Sequence, residues 1–126
     1  METSEAEKPT GIRRIWLALF YSIDGFRAAW KGEAAFRQEV VLAAVLLSLV
    51  FFVGQNAIEY CLLAGSVLLV LVVELLNSAV EATVDRIGAE KHHLSKNAKD
   101  MGSAAVLVSL MIVLFVWAVI ILQRVY

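Results

Sequence analysis

Five residues in the second half of this 126-residue chain could do chemistry together: Glu74, Asn77, Ser78, Glu81 and Asp85. At about 100° per helical residue they share an arc of about 100°, so one face of one helix carries three carboxylates, an amide and a hydroxyl. The intervening positions are chiefly Val, Leu and Ala. A solvated surface scatters its charges, and an ordinary core helix does not hold them. Inserting a carboxylate such as Glu74 into hydrocarbon costs about 2.5–3.5 kcal/mol, so it serves a partner or a task. A buried carboxylate is a stronger proton acceptor, suited to deprotonating a hydroxyl. The plainer alternative is a structural hydrogen bond to a neighbouring helix, for instance to Ser103.

Glu74 and Glu81 lie about 10.5 Å apart along a helix axis, too far to ligate one ion together. A division of labour follows, with Glu74 as base and Glu81 reaching a metal. Glu33 is the second informative acid. Spacing alone allows it an i,i+4 pair with Arg37 on a solvated face. It also falls at a depth similar to Glu81, and two carboxylates plus phosphate oxygens suit Mg²⁺. Asn77 and Asp85 support the same face.

These residues are positioned by apolar segments. Hydrophobic residues make up 60% of the chain and charged residues 18%, against about 45–50% and 25% in soluble domains. The mean hydropathy is +0.76. An all-α integral membrane protein is expected, forming a single domain. Transmembrane helices are expected at about 36–53, 60–79 and 101–122, each near the ~20 residues that cross ~30 Å of hydrocarbon. The turn Gly54-Gln55-Asn56 makes the first two an antiparallel hairpin.

Ile12, Ile15, Trp16, Leu19, Phe20, Ile23, Phe26 and Trp30 recur at three- and four-residue steps, with Arg13, Arg14, Asp24, Arg27 and Lys31 between them. An interfacial amphipathic helix is expected over 12–31. Residues 1–10 read as a polar tail without the basic start and apolar core of a cleavable signal peptide.

Six of the eleven basic residues precede the first span, and Arg86, Lys91, Lys96 and Lys99 follow the second. The positive-inside rule places both regions in the cytoplasm and leaves Arg124 alone on the far side. Span two then ends near Ala79, and Glu74 sits about 7–8 Å inside the cytoplasmic edge, near the glycerol level of a lipid.

Residues 88–100 read as a cytoplasmic loop whose cations can meet phosphates. Lys99-Asp100 is expected to open span three, where free helix N–H groups favour anions. His92-His93 lacks the i,i+4 spacing of a helical zinc site.

A net charge of −1 gives no electrostatic reason for nucleic-acid binding. The single cysteine, Cys61, permits no disulfide within the chain. GxxxxGK[ST], GxGxxG and HRD/DFG motifs are all absent, so nucleotide chemistry here needs another architecture.

The stretches Arg27-Ala28-Ala29-Trp30, Glu33-Ala34-Ala35-Phe36-Arg37-Gln38-Glu39, Glu74-Leu75-Leu76-Asn77-Ser78-Ala79-Val80-Glu81-Ala82, Asp85-Arg86-Ile87-Gly88 and Ala98-Lys99-Asp100-Met101-Gly102-Ser103-Ala104-Ala105-Val106 closely resemble the bacterial integral-membrane diacylglycerol kinase family. The resemblance covers essentially everything after Gly11. It implies a homotrimer in the bacterial inner membrane with active sites shared between subunits. It implies transfer of the γ-phosphate of MgATP to diacylglycerol, giving phosphatidic acid.

The resemblance also assigns residues. Glu74 is implied as the base, and Glu33 and Glu81 as Mg²⁺ ligands that also touch ATP. Arg14, Tyr21, Glu90, Lys91, His92, Lys99 and Asp100 are implied as further nucleotide contacts. Arg14, Ala35, Phe36, Arg37, Gln38, Glu39, Glu74 and Ser103 are implied at the lipid. The chain departs from the family pattern at Leu17, at Ala18-Leu19-Phe20 and at Tyr60.

The nearest alternative is a kinase of undecaprenol or another polyprenol, although residues 99–105 look more like the diacylglycerol branch. A non-enzymatic proton relay or assembly protein is a third reading. A relay needs polar groups across the whole bilayer, and residues 62–73 offer only Ser66.

Overall fold

The computed structural model describes residues 7–126, so residues 1–6 of the expected tail lie outside the described residues. The described chain consists of four α-helices: α1 (Gly11–Gly32), α2 (Ala34–Val53), α3 (Ala57–Ile87) and α4 (His93–Val125). Helices α2, α3 and α4 are long and apolar enough to cross a membrane.

The joints explain the order of elements. Glu33 alone separates α1 from α2, in extended conformation at φ −127°, ψ 109°. The Arg37 guanidinium reaches back from α2 and donates to the Trp30 carbonyl at 2.6 Å and the Lys31 carbonyl at 3.5 Å. Those carbonyls belong to the last turn of α1, which has no helical donors for them, so Arg37 fixes the elbow. The Glu33–Arg37 pair that spacing allows does not form.

At the opposite joint Asn56 caps α3, its side chain accepting from the Glu59 N–H at 3.0 Å. Gly54 is required there for space, since a β-carbon would run into the Tyr60 ring.

The core lies between α2, α3 and α4 and is built from Ala43, Val50, Leu63, Val67, Trp117 and Ile120. Polar groups inside it are satisfied locally. Trp117 Nε1 donates to the Leu63 carbonyl at 3.3 Å, and Ser66 Oγ donates to the same carbonyl at 2.9 Å. Many large apolar residues on the three long helices remain exposed, among them Val41, Phe52, Leu76, Leu107, Leu114 and Phe115. In water such surface is an aggregation liability; in hydrocarbon it is the proper exterior. Helix α1 buries only Ala29 among its residues.

Two expectations about the Gly88 end need correction. Helices α3 and α4 continue well past the hydrophobic stretches, leaving only residues 88–92 as connection. Hydropathy marks where lipid ends, and a helix can go on into water. Lys99 and Asp100 therefore do not open α4. His92 is its N-cap, with Nδ1 accepting from the Leu94 N–H at 3.1 Å, and the free N–H groups belong to the turn after it. The other side of the connection is set by Gly88, whose φ of 158° and ψ of 164° form a region open almost only to glycine.

Candidate active site

Glu74 is 3% exposed, one of the few buried polar residues among the described residues. It sits on α3, with Glu81 about two turns and Asp85 about three turns further towards Gly88. The elbow at Glu33 brings a second acid to this face, close enough to Glu81 for the two carboxyls to interact. Burial, followed by the Glu81 charge and contact and by the charges of Glu74 and Asp85, pushes the Glu33 carboxyl above its ordinary range. No Lys or Arg is ion-paired to Glu33 or Glu81 among the described residues. Two carboxylates close together and without a direct ion pair fit a divalent cation that takes its remaining ligands from water or phosphate.

A cavity of about 560 Å³ opens beside Glu33, between α1 and α3. Small residues shape it, including Gly25, Ala28, Gly32 and Ala79, with Ser78 on one wall. Ser78 Oγ is buried and lacks a hydrogen-bond partner among the described residues.

A second cavity of about 620 Å³ lies at the end of α3 and α4, where Asp85, Glu90, Lys91, His92, Lys99 and Asp100 converge. Lys99 Nζ donates to Asp85 at 2.8 Å, and Lys96 Nζ donates to Asp100 at 2.5 Å. The structure thus gathers five of the residues expected at nucleotide, together with the supporting Asp85.

Other expected residues are placed differently. Arg14 and Tyr21 are exposed on the N-terminal half of α1 and line neither cavity. Phe36 is 2% exposed and packs near Phe26, with ring centroids 6.5 Å apart. Arg37 is engaged at the elbow. Ala35, Gln38 and Ser103 are exposed. Ser103 makes no side-chain hydrogen bond to Glu74 among the described residues.

The polar side chain of α2 that comes close enough to Glu74 to interact with it is Glu39. Sequence reasoning missed this contact. Its one available signal was Glu39's position as the last charge before the apolar run from Val40.

Three helices long and apolar enough to cross a bilayer, with acids and lysines crowded at one end, define a membrane-spanning protein that gathers charged groups at one end of its bundle. Residues 20–121 match the family described as prokaryotic diacylglycerol kinase. The chain is 52% identical over 122 residues to the diacylglycerol kinase of Pseudomonas aeruginosa, covering 97% of this chain and 99% of that one. It is 50% identical over 115 residues to the diacylglycerol kinase of Escherichia coli K12, covering 91% and 94%. With the Helicobacter pylori J99 diacylglycerol kinase it shares 44% identity over 110 residues, covering 87% and 86%. The chain belongs to the prokaryotic diacylglycerol kinase family.

Proposed function

We propose that this kinase transfers the γ-phosphate of MgATP to the hydroxyl of diacylglycerol, forming phosphatidic acid, at the cytoplasmic face of the bacterial inner membrane. The observation that carries this reading is the vertical order on α3. A buried acid, Glu74, lies below a pair of facing carboxylates, Glu33 and Glu81, and below a cavity bearing lysines. A lipid hydroxyl and a nucleotide triphosphate approach from opposite sides, and that order suits both.

Glu74 accepts the proton of the hydroxyl as the lipid oxygen attacks the γ-phosphorus. The bond from that phosphorus to the bridging oxygen breaks, and ADP leaves. Glu33 and Glu81 are the residues that would hold Mg²⁺, which neutralises charge on the triphosphate. Lys91, His92 and Lys99, with Glu90 and Asp100 around them, hold the nucleotide in the larger cavity. Arg14 and Tyr21 approach it from α1. The lipid lies along Ala35, Phe36, Gln38, Glu39 and Ser103, with Phe36 as a packed wall. Arg37 acts by setting the elbow. Such positioning and charge neutralisation are most of what phosphoryl transfer needs from a protein.

Helix α1 rests in the headgroup region, where its exposed Trp16, Phe20 and Trp30 meet lipid. A homotrimer covers part of the apolar exterior and completes sites that are open at their sides.

The test offers purified protein diacylglycerol and undecaprenol with labelled ATP, alongside Glu33, Glu74 and Glu81 variants. Label in phosphatidic acid, lost in Glu74→Gln, is expected. Label in undecaprenol alone overturns the substrate, and full activity of Glu74→Gln overturns the base.

A further inference from the structure

Most hydroxyls within the helices of this chain are bonded to their own backbone. Ser22 donates to the Ala18 carbonyl at 2.8 Å, Ser48 to Ala44 at 2.8 Å and Ser66 to Leu63 at 2.9 Å. Thr83 donates to Ala79 at 2.8 Å and Ser109 to Val106 at 2.7 Å. The carbonyl three or four residues back is the usual acceptor for a helical Ser or Thr. Ser78 differs from all of these. Its Oγ is shielded from water, yet it meets neither its own backbone nor any other hydrogen-bond partner among the described residues. A shielded hydroxyl left unbonded costs stability, and a proton left free in this way is available to a ligand.

The position of that hydroxyl narrows the ligand. Ser78 is four residues beyond Glu74 and three short of Glu81, about 6 Å and 4.5 Å along the axis of α3, and the three share one face. It forms part of the wall of the 560 Å³ cavity between α1 and α3, which Glu33 also lines. Gly25, Ala28 and Gly32 of α1 keep that space open. No Lys or Arg lines it, and the hydroxyl of Ser22, the other serine there, is committed to Ala18. Ser78 therefore has the one uncommitted neutral O–H among the lining side chains, a single χ1 rotation away from any of three staggered directions.

A phosphoryl group passing from nucleotide to lipid presents acceptor oxygens, and its charge spreads over the three that do not bridge. It moves between the acid that takes the lipid proton and the acids at the nucleotide end. Ser78 occupies that interval.

We propose that Ser78 is a further catalytic residue: its Oγ–H donates a hydrogen bond to a non-bridging oxygen of the phosphoryl group in flight. The lipid oxygen bonds to phosphorus, and its proton goes to Glu74. The bond from phosphorus to the bridging oxygen breaks, its electron pair leaving with ADP. Ser78 keeps its own proton throughout, and its hydrogen bond strengthens as charge gathers on the acceptor oxygen. A donor already in place needs no reorganisation at that moment. This inference rests on the reading of Glu74 as the base.

The experiment is Ser78→Ala, followed by three measurements. The kcat for diacylglycerol should fall about 10²-fold, the scale of one such donor, with KM for MgATP and for lipid close to unchanged. The unfolding midpoint in detergent should hold or rise, because no hydrogen bond is lost and an unbonded polar atom is removed. The slow transfer of phosphoryl to water, measured with MgATP and no acceptor lipid, should fall by the same factor as kcat. A wild-type kcat overturns the proposal. A rate loss accompanied by a lower midpoint makes Ser78 a structural residue and overturns it too. Lipid phosphorylation lost beside unaltered hydrolysis places the contact on the lipid, and the phosphoryl assignment fails.

Glu74→Gln in the same assays separates the two ideas. Activity there removes the base reading, whereas an inactive Glu74→Gln beside an unimpaired Ser78→Ala removes only the role of Ser78.

Discussion

The amide oxygen of Asn77 on α3 rests against Gly102 on α4, in the space that a β-carbon would fill. That oxygen is buried and has no hydrogen-bond donor among the described residues. Small residues allow membrane helices to approach this closely, and here the approach packs a polar side chain of the reactive face.

Gly102→Ala should therefore either turn Asn77 or part the two helices, at about 1–3 kcal/mol for overpacking. Gly65→Ala is the control, because nothing lies within 4 Å of its added methyl. The control should be neutral or gain up to about 1 kcal/mol from helix propensity. Thermal unfolding in detergent and lipid-kinase rates on both variants check this. Equal behaviour of the two would show that the Asn77 contact is unimportant.

At the far end of α3, Glu59 is held by α4. It accepts from Gln123 Nε2 at 2.8 Å and from the Gln55 N–H at 2.8 Å, and it pairs with Arg124. The Arg124 and Glu59 side chains are only 22% and 12% exposed. Arg124→Ala should cost about 1.5–3 kcal/mol, the scale of a charged hydrogen bond. The double variant with Glu59→Gln should regain part of that, since no charge is then left unpaired. Glu59 is about 22 Å along the helix from Glu74, so kcat should hold while the unfolding midpoint falls.

Glu33 makes the cation-free protein sensitive to pH. Its carboxyl protonates more readily in the folded chain than in the unfolded one, because of burial and the facing Glu81. Over the interval above its ordinary value of 4.5 the folded state binds the extra proton, so stability falls as pH rises through that interval. Unfolding midpoints in chelator should therefore climb as neutral solution is acidified, and Glu81→Gln should flatten the slope. Added Mg²⁺ should raise the midpoint of the parent near neutral pH and do little for Glu81→Gln.

The Lys99–Asp85 bridge lies in the open, with side chains 44% and 67% exposed. Exposed pairs of this kind contribute little to stability, because water screens them. Lys99→Gln should leave the unfolding midpoint nearly unchanged and raise KM for MgATP. A large loss of stability with an unchanged KM would make this lysine a strut and remove it from the nucleotide site.

Glu74→Gln should keep the fold and lower kcat by about 10²–10⁴-fold, the usual worth of a general base. Circular dichroism and the labelled-lipid assay together check it.

The sequence made some of this architecture readable and concealed the rest. Long apolar runs marked the three long helices, because an apolar stretch of that length has few other uses. The amphipathic spacing from Ile12 to Trp30 revealed α1. Angular arithmetic put Glu74 and Glu81 on one face, since both belong to one helix. Contacts between helices were hidden, because they depend on register. Glu39 against Glu74 and Arg124 against Glu59 are of that kind. The length of α3 and α4 beyond the lipid was also hidden. Gly88 and His92 were the stop and start signals there, outweighed by the polar composition of residues 88–100.

Helices α3 and α4 contain 31 and 33 residues, roughly 46 and 50 Å of unbroken rod against about 30 Å of hydrocarbon. Neither rod has a joint between its buried half and its wet half. The heights of Glu74 and Lys99 along the bundle are set by these same stiff members. The protein is in this sense a fixed ruler stood in a film of variable depth. In the proposed reading a thicker or thinner film would shift the acceptor hydroxyl along the graduations relative to the phosphate end, so acyl-chain length would act on the distance between the two reactants.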